Sequence, residues 1–235
     1  MEKLHEAQIS VLHSLRHQVG GMRFSALMQP TGLTSDNFKF HLRKLARLAY
    51  IEKTEGGMYR LTPAGKEFAN NLDEQRKKIQ RQPKLSVLVL VPEPGRLGEP
   101  RYLFQQRRRN PYYGYWSCIG GPVQWGEDAV DTAAKELFKQ TGLEATFEIR
   151  AFYRVHDIAA ETGGLLEDKM FIVIQAANVK GTLSNSWYGG HNQWMTEQEY
   201  MQQSNYFSSV IEAVDMVRSG MTYRAAEKHY SLKDY

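Results

Sequence analysis

The chain has 235 residues, enough for two domains that each bury a core, and 42% hydrophobic with 24% charged residues exclude extensive disorder and a collagen-like fibre. No run approaches the roughly 18 apolar residues of a membrane span, and the start, MEKLHEAQIS, lacks the apolar segment of a signal peptide. The only cysteine, Cys118, cannot form an internal disulfide, and we expect it to be a small buried hydrophobe. These features predict a cytoplasmic protein with no membrane partner.

The net charge of +4 is unevenly distributed along the chain. Residues 1–82 contain 14 Lys and Arg against 8 Asp and Glu, or +6, whereas the remainder contains 16 against 18, or −2. A basic small domain beside a slightly acidic larger one indicates that the first part binds a polyanion. We predict domains at 1–82 and 83–235, because Pro83 disfavours helix in the residue before it.

Three helices are predicted at the start of the first domain. Residues 3–18 place apolar side chains on one helical face before two glycines, and RFSALMQ is a short helical segment stopped by Pro30. The segment GLTSDNFKFHLRKLARLAY predicts a third helix, with Thr34 or Ser35 as its N-cap. Its apolar stripe is Phe38, Leu42, Leu45 and Ala49.

A hairpin and a further helix follow. In YIEKTEGGMYRLTPAG, two short runs are separated by Glu55, Gly56 and Gly57, which is typical of a hairpin. Thr62 and Pro63 then predict the start of a helix through KEFANNLDEQRKKIQRQ. The charged stretch 70–84 is interpreted either as a linker helix or as part of a dimer interface.

This order resembles the winged helix-turn-helix of bacterial regulators related to the multiple-antibiotic-resistance and arsenic-repressor types, with most of the likeness in HLRKLARLAYIEK and YRLTPAGKEF. The resemblance implies three helices plus a β-hairpin wing, double-stranded DNA as partner, and the third helix in the major groove. A winged helix used for protein contact, or a basic helix that is only solvated, are the alternatives. The candidates for base edges are Ser35, Asp36, Asn37 and Lys39, those for phosphates are Arg43, Lys44 and Arg47, and those on the wing are Lys53 and Arg60.

Residues 121–143, GPVQWGEDAVDTAAKELFKQTGL, resemble the Nudix box, G-x5-E-x7-R-E-U-x-E-E-x-G-U with U an aliphatic residue. Lys135 replaces the arginine of the box, and Lys139 and Gln140 replace its paired glutamates. LFQQRRRNPYYGYWSCIGG, LLEDKMFIVIQA and NQWMTEQEY resemble the flanking elements, so the likeness covers roughly residues 84–200. It implies a Nudix α/β/α sandwich with a mixed sheet, and hence an α+β and α/β two-domain chain. The positions that match the pattern are Gly121, Glu127, Glu136, Leu137, Gly142 and Leu143.

The two replaced glutamates bear on metal binding. Helical spacing places Glu136, Lys139 and Gln140 on one face, where Nudix enzymes hold magnesium with carboxylates. Magnesium is usually bound by one or two carboxylates plus substrate phosphates, and here Lys139 offsets the one negative charge of Glu136. We therefore expect no metal and no cofactor. Mg²⁺ enters only if the chain is an active hydrolase, with Glu136 as a catalytic residue, or if Glu127, Glu167 or Asp168 rebuilds a metal site.

Lys139 has two interpretations. Its ammonium meets a ligand phosphate in place of a metal, or it forms an intrahelical pair with Glu136 worth only about 0.2–0.5 kcal/mol. Lys135 is expected to pair with Glu127 and brace the loop, as the resemblance implies for the arginine of the box. Lysine keeps that charge but lacks the planar fork of arginine.

Cations and aromatic residues are mixed in the loop before the box, which suits phosphate binding and stacking. From this loop Arg107 and Tyr115 join Lys139 as ligand-binding candidates, while Trp116 is equally well interpreted as core. At the end of the chain, SSVIEAVDMVRSGMTYRAAEKHY is predicted to be a helix that packs on the Nudix core.

The leading hypothesis is a DNA-binding transcriptional regulator, expected to be a homodimer, whose catalytically impaired Nudix-like domain senses a phosphorylated metabolite. The ligand is expected to be linked to a nucleoside diphosphate and similar to ADP-ribose. The chain resembles in parts, but not in domain order, the Nudix regulators of NAD and sugar metabolism. One alternative is an active hydrolase that cleaves nucleoside diphosphate-linked compounds with Mg²⁺. The other is a Nudix domain that serves only as a dimer scaffold.

Overall fold

The computed structural model describes residues 4–72, 81–93 and 98–235. It divides into two compact units, Met1–Arg81 and Gln82–Tyr235. No helix of the described residues is long and apolar enough to cross a membrane.

The first unit consists of helices and a small antiparallel hairpin packed around one apolar core. Phe38, Leu42 and Leu45 of the third helix are buried in this core, as their spacing predicts. The hairpin pairs Ile51 with Leu61, and a single bridge from Met22 extends it. The elements are α1 Glu6–Arg16, α2 Phe24–Met28, α3 Ser35–Arg47, β1 Ile51–Lys53, β2 Tyr59–Leu61 and α4 Pro63–Asn70.

Ala49 was predicted to belong to the apolar stripe of α3, and this prediction is wrong. The helix ends at Arg47, and Ala49 is exposed with a φ of 55°. The amides of Ala49 and Tyr50 donate to the carbonyls of Ala46 and Leu45, at 2.9 and 3.0 Å. These two bonds close the helix end in the way that usually requires glycine in the left-handed position, so alanine gives no sequence signal for it.

Helix α4 packs against the backbone of the preceding turn. Thr62 caps it by accepting from the amide of Gly65 at 3.0 Å. A Cβ on Gly65 would lie 1.8 Å from the carbonyl oxygen of Tyr50, so only glycine fits there. The predicted continuation of this helix into a linker falls on residues 73–80, outside the described residues.

In the second unit, eight strands of the described residues form one sheet in the order β10-β6-β7-β3-β5-β4-β9-β8. The pairs β10 with β6 and β3 with β7 are parallel and the others are antiparallel, so the sheet is mixed, as predicted. The strands are β3 Lys84–Leu90, β4 Arg101–Arg107, β5 Trp116–Pro122, β6 Glu144–Ala159, β7 Leu165–Lys180, β8 Ser186–Trp187, β9 Gly190–Thr196 and β10 Tyr223–Tyr230.

Helices cover both faces of this sheet. Because successive residues of a strand point to opposite faces, Val87 and Val89 of β3 pack in one apolar cluster and Leu88 in the other. The first cluster contains the apolar side of α5 Ala129–Thr141, and the second contains that of α7 Ser208–Ser219. A short helix, α6 Glu197–Met201, follows β9. The unit is therefore the α/β/α sandwich that the sequence predicts.

The carboxy-terminal prediction is half right. Helix α7 forms, but it ends at Ser219, where Gly220 adopts a left-handed φ of 73°. Residues Tyr223–Tyr230 then form β10, parallel to β6 and at the edge of the sheet. The alternation of exposed and half-buried residues along this segment is that of a strand, and the prediction of one continuous helix missed it.

Candidate functional site

Helix α5 begins directly after the loop that follows β5. Asp128 caps it by accepting from the amide of Val130 at 2.8 Å, and Gly142 ends it with a φ of 75°. A Cβ on Gly121 would lie 2.7 Å from Cγ of Glu136. Glycine is thus required here because the Glu136 side chain lies against the strand.

Glu136, Lys139 and Gln140 satisfy one another's charges and hydrogen bonds. The Lys139 ammonium donates to both carboxylate oxygens of Glu136, at 3.1 and 3.2 Å. Gln140 is 1% exposed, and its amide nitrogen donates to Glu136 Oε2 at 2.7 Å and to the Gly120 carbonyl at 2.9 Å. The intrahelical pair expected as one interpretation of Lys139 is therefore present. Lys139 also lies 5.5 Å from the centroid of the Trp187 ring, on the neighbouring β8.

The glutamine at position 140 suits a box without a metal ion. Two carboxylates at positions 136 and 140 would repel each other at this distance unless a cation lay between them. The amide instead donates one hydrogen bond to the remaining carboxylate and one to a buried carbonyl. The oxygens that would face a metal ion are thus already hydrogen-bonded.

The three carboxylates that could rebuild a metal site are each paired elsewhere. Glu127 accepts from Lys135 and from Thr132 at 2.8 Å. The other two have cation partners as well: Glu167 pairs with Lys84 at 2.5 Å and accepts from Tyr235 at 2.8 Å, and Asp168 accepts two bonds of 2.7 Å from Arg154. Over the ranges that the structure describes, no three His, Cys, Asp or Glu side chains converge as metal ligands do. The donor set does not fit magnesium, which requires oxygen ligands free of cation partners.

These pairs also lower the pKa values of Glu127 and Glu167. The hydrogen bond from Lys135, with those from Thr132 and the Gln124 amide, lowers the pKa of Glu127. For Glu167, burial raises the pKa, but the hydrogen bonds from Lys84 and Tyr235 and the nearby cations outweigh it, so the net shift is downward. Both groups therefore remain carboxylates at neutral pH.

A chain of buried amides joins the end of α5 to the adjacent strands. Asn192 of β9 donates at 2.8 Å both to the carbonyl of Gln140 and to that of Ser184. Its side-chain oxygen accepts from Gln105 of β4 at 2.8 Å. Because buried polar groups that are fully bonded stabilise one arrangement, this chain fixes the C-terminal end of α5 against the sheet.

A cleft of about 210 Å³ lies on the α7 side of the sheet. Its floor comes from β3 and β5, including Gly120 and Gly121, and its walls come from β7, the start of α7 and the loop after β4. Carboxylates contribute little to the lining apart from Glu167, whereas four cations reach it. These are Lys84, Arg107, Arg109 and Lys169.

Arg107 is a half-buried cation in the lining of the cleft, where the charge of Glu167 offsets part of the cost of its burial. Its guanidinium donates to the Pro111 carbonyl at 2.9 Å, and its Nε is buried without a hydrogen-bond partner in the structure as described. Burial, together with the charge of Arg109, lowers the pKa of Arg107 to about 10. No described carboxylate pairs with it, whereas buried guanidinium groups usually have an anionic partner.

Lys169 stands beside aromatic rings at the same cleft. It pairs with the buried Asp157 at 2.5 Å, and its ammonium lies 5.7–5.8 Å from the ring centroids of Tyr112, Phe171 and Phe207. Burial lowers the pKa of Lys169, against the opposing effect of Asp157. The lining of the cleft thus combines cations with aromatic side chains, of which Phe171 is half-buried and Tyr112 and Phe207 are buried.

Of the three predicted ligand-binding residues, only Arg107 lines the cleft. Arg107 lines the cleft, but Tyr115 is buried in the core, where its hydroxyl donates to Asp234 at 3.0 Å and burial raises its pKa to about 12. Tyr112, not Tyr115, faces the cleft. Lys139 lies against Glu136 and Trp187 instead of among the cleft-lining residues.

The core residues of this region behave as expected. Trp116 is buried, in agreement with its interpretation as core. Cys118 is also buried, and burial raises the pKa of its thiol, so it is an apolar packing residue.

Several cleft residues were missed by sequence analysis. Lys84 and Lys169 lie on β3 and β7, which are distant in sequence and adjacent in the sheet. Each stands at the edge of an apolar run, and only the pairing register brings Lys84 opposite Lys169. The partial signal was the pattern of LLEDKMFIVIQA, where a lysine directly precedes a continuous apolar run.

The predicted DNA-binding residues of α3 share a solvent-exposed face. Ser35, Asn37, Lys39, Arg43 and Arg47 are all exposed, and Lys44 is half-buried. The Lys39 ammonium lies 3.2 Å from Asp36 in an exposed pair. Within the described part of the chain, Arg43 and Arg47 form no ion pair.

The two predicted wing residues have partners on the hairpin. Arg60 pairs with Glu52 at 2.6 Å across the strands, and Lys53 lies 5.8 Å from the centroid of the Tyr59 ring. Both side chains of the Arg60–Glu52 pair are largely exposed, and such pairs contribute only about 0–1 kcal/mol. An external polyanion could therefore exchange with Glu52 at little cost.

Two family models match this chain. The model described as NUDIX domain matches residues 81–211, more than half of the chain, and one described as a domain of unknown function (DUF7347) matches residues 4–72. Among curated proteins, the oxidized purine nucleoside triphosphate hydrolases of Danio rerio and Mus musculus are 31% and 32% identical over 103 residues. That alignment covers 44% of this chain and spans 60% of the length of each relative.

Solved structures share the fold of the second unit. A MutT protein from Bacillus halodurans has a TM-score of 0.50 and 16% identity, over 65% of this chain and 93% of that one. The NUDIX domain of Shewanella oneidensis NrtR, solved in complex with ADP ribose, has a TM-score of 0.50 and 17% identity, over 69% of this chain and 100% of that one. With the matched box, the mixed sheet and the covering helices, these similarities show that the chain belongs to the NUDIX domain family.

Proposed function

We propose that this protein is a DNA-binding transcriptional regulator whose NUDIX domain senses a phosphorylated metabolite linked to a nucleoside diphosphate, such as ADP-ribose, without hydrolysing it. The observation that carries the proposal is that Arg107 has no ion-pair partner among the described residues of a cationic cleft, beside a box whose Glu136 is already paired with Lys139. We propose further that the protein works as a homodimer.

The charges of the cleft support a diphosphate ligand. Lys84 and Lys169 each have a carboxylate partner, but Arg107 has none in the described structure and Arg109 is exposed at the same cleft. Guanidinium groups bind phosphate oxygens through two parallel hydrogen bonds. A diphosphate would therefore supply the anion that Arg107 lacks.

The aromatic rings support a nucleoside beside that diphosphate. Tyr112, Phe171 and Phe207 line the cleft, and base or sugar faces pack favourably on such rings. The NrtR structure with ADP ribose supports this choice of ligand class. The cleft is smaller than most ligand pockets, so binding would widen it, or the ligand would leave part of itself in solvent.

The box supports binding without hydrolysis. Metal-assisted cleavage of a diphosphate requires a cation that polarises the phosphoryl group and activates water. Lys139 and Gln140 occupy the oxygens of Glu136 with hydrogen bonds instead. The box then serves to fix the strand that carries Gly120 and Gly121 at the cleft.

The α3 helix supports DNA as the second partner. We propose that the first unit acts as a winged helix-turn-helix, with α3 in the major groove and the β1–β2 hairpin as the wing. Arg43 and Arg47 have no ion-pair partner in the residues that are described, and the unit as a whole is basic. Ligand binding changes DNA affinity only insofar as the ligand prefers one of two arrangements of the DNA-bound dimer.

The test of the sensor combines turnover and binding. The full chain is incubated with ADP-ribose, or with other nucleoside diphosphate-linked compounds, in Mg²⁺, in Mn²⁺ and in EDTA, and both product release and thermal stabilisation are measured. We expect stabilisation with intact ligand in all three conditions. Arg107→Ala should weaken ADP-ribose binding about tenfold or more, as for a lost charged hydrogen bond, while Arg108→Ala, adjacent in sequence but outside the cleft lining, serves as the matched control.

The second candidate function is a NUDIX hydrolase acting on nucleotides, which the identity of 31–32% to two nucleoside triphosphate hydrolases favours. It predicts metal-dependent turnover that disappears in Glu136→Gln. That result would replace the sensor proposal, whereas the absence of any ligand-induced stabilisation would leave the domain only a role as a dimer scaffold.

A further inference from the structure

Helix α3 carries an exposed phenyl ring in the middle of its basic face. Phe40 is 65% exposed and directly follows Lys39. It precedes Arg43 by three residues and Arg47 by seven, and these spacings place all three side chains on one side of a helix. The buried residues of α3, Phe38, Leu42 and Leu45, lie on the opposite side.

Phe40 does not contribute to the core of the first unit. It is absent from the apolar cluster of that unit, and its ring contacts the edge of His41 at a centroid distance of 5.5 Å. Single exposed apolar residues are common on protein surfaces. A large aromatic ring beside Arg43 and Arg47, which form no ion pair in the described part of the chain, is a more specific arrangement, because it offers one apolar contact within a surface that attracts anions.

The partner of this face must supply negative charge around an apolar group. The major groove of B-DNA does so, because phosphates border it and the 5-methyl group of thymine projects from its floor. An α-helix with its side chains is about 10–12 Å wide and the groove is about 12 Å wide, so α3 can enter with its exposed face toward the bases. An acidic protein surface matches the charges but provides no such fixed alternation of phosphate and methyl groups.

We propose that Phe40 contacts the 5-methyl group of a thymine in the major groove, so that α3 selects a T·A pair at one position of its binding site. This inference rests on the proposed DNA-binding function. It assigns specificity to a residue that is neither charged nor a hydrogen-bond donor, while Arg43 and Arg47 bind the phosphates on either side.

The experiment compares thymine with uracil, which differ only by this methyl group. Duplexes bound by the full-length wild-type chain are selected from a random library, and each thymine of the selected site is then replaced by deoxyuridine in turn. Removing the contacted methyl should weaken wild-type binding about fourfold, the effect of burying one methyl-sized group. Phe40→Ala should bind the thymine and uracil duplexes equally.

Phe138→Ala is the matched control, because Phe138 is 58% exposed on α5, outside the first unit. It should retain the wild-type preference for thymine. Since Phe40 is exposed, Phe40→Ala should unfold at nearly the wild-type temperature, and a thermal melt checks this before binding is measured.

The two proposals fail in distinguishable ways. If the wild-type chain binds duplexes but no single deoxyuridine lowers its affinity more than that of Phe40→Ala, the thymine contact is refuted and DNA binding stands. If the wild-type chain binds no duplex at low salt, DNA binding itself is refuted, and the face is left to a protein partner.

Discussion

The two lysines of the box on α5 and the two arginines of α3 differ in whether a carboxylate of the protein neutralises them. On α5, Lys135 bonds Glu127 and Lys139 bonds Glu136, so each cation has a carboxylate from its own segment. On α3, Arg43 and Arg47 have no such partner in the described chain, and both are exposed. A cation that is neutralised internally stabilises a local structure, whereas one left open is available to an external anion.

The cleft falls between these two cases. Lys84 and Lys169 are paired with Glu167 and Asp157, while Arg107 beside them is half-buried and forms no ion pair in the structure as described. Under the proposed function, the two pairs hold the cleft in shape without a ligand, and Arg107 would contribute binding energy when a diphosphate is bound. Substitutions at the paired and at the unpaired cations should therefore have different effects.

The largest expected effect is the loss of folding stability when Gln140 of α5 is replaced. Gln140→Leu removes the donor to the Glu136 carboxylate, which is buried, and to the Gly120 carbonyl, which is partly buried. We expect the free energy of unfolding to fall by about 2–4 kcal/mol, the cost of leaving such groups unsatisfied. Lys139→Ala breaks only a partly exposed ion pair, and should cost less than about 1 kcal/mol.

Urea unfolding of both variants measures the difference. Equal losses in the two variants would mean that the charge of Lys139, and not the amide of Gln140, holds the box together. In that case the ion pair of Lys139, and not the hydrogen bonds of Gln140, would be the main stabilising contact of α5.

The next effect is on DNA affinity. Arg43→Ala combined with Arg47→Ala removes two phosphate contacts, so binding near 0.15 M salt should weaken about 30-fold and the slope of log K against log salt should shrink by about 1.8. Fluorescence anisotropy over a salt series measures both quantities. Lys135→Ala on α5 is the control, and an equal loss there would show that net charge alone drives binding.

A double variant restores the two glutamates that the Nudix box has at positions 139 and 140. Lys139→Glu with Gln140→Glu restores the acidic pattern, so three carboxylates would crowd one face of α5 in the absence of a cation. We expect the double variant to be less stable than wild type in EDTA and to gain stability with Mg²⁺. An affinity of about 1 mM would contribute about 1.4 kcal/mol at about 10 mM Mg²⁺.

Thermal melts with and without Mg²⁺ test this conversion. The wild-type chain should show no shift, because its donor set does not fit the ion. A wild-type shift as large as that of the double variant would contradict the description of the box as closed to metal.

The sequence predicts well what depends on local pattern and on a fixed motif. The α5 helix and the glycine required at Gly121 follow from the box. The outcome at Ala49 could not be predicted, because a left-handed helix end is normally marked by glycine.

The features of the second unit that were not predicted arise from contacts between residues far apart in the sequence. Residues Tyr223–Tyr230 form a strand because β6 offers an unpaired edge, which no local pattern reveals. Lys84 and Lys169 meet only through the pairing of β3 with β7. Tyr112 lines the cleft and Tyr115 does not, although both rings pack against Phe207, and the sequence around them does not distinguish the two.

The smallest effect concerns the brace at the start of α5 and its response to pH. The hydrogen bond from Lys135, followed by those from Thr132 and Gln124, holds the pKa of Glu127 below its ordinary value of 4.5. A carboxyl whose pKa is lower in the folded chain stabilises folding above the unfolded-state pKa, and this stabilisation is lost as the pH falls through the folded-state pKa. Lys135→Met should therefore flatten part of the decline in stability below about pH 4.5, whereas Lys135→Arg should keep it. Urea unfolding across that range distinguishes the two. If the free energy of unfolding falls with pH in the same way for wild type and Lys135→Met, the Lys135–Glu127 pair does not stabilise the loop. The pair between Lys139 and Glu136 would then be the one on α5 that neutralises charge and stabilises the fold.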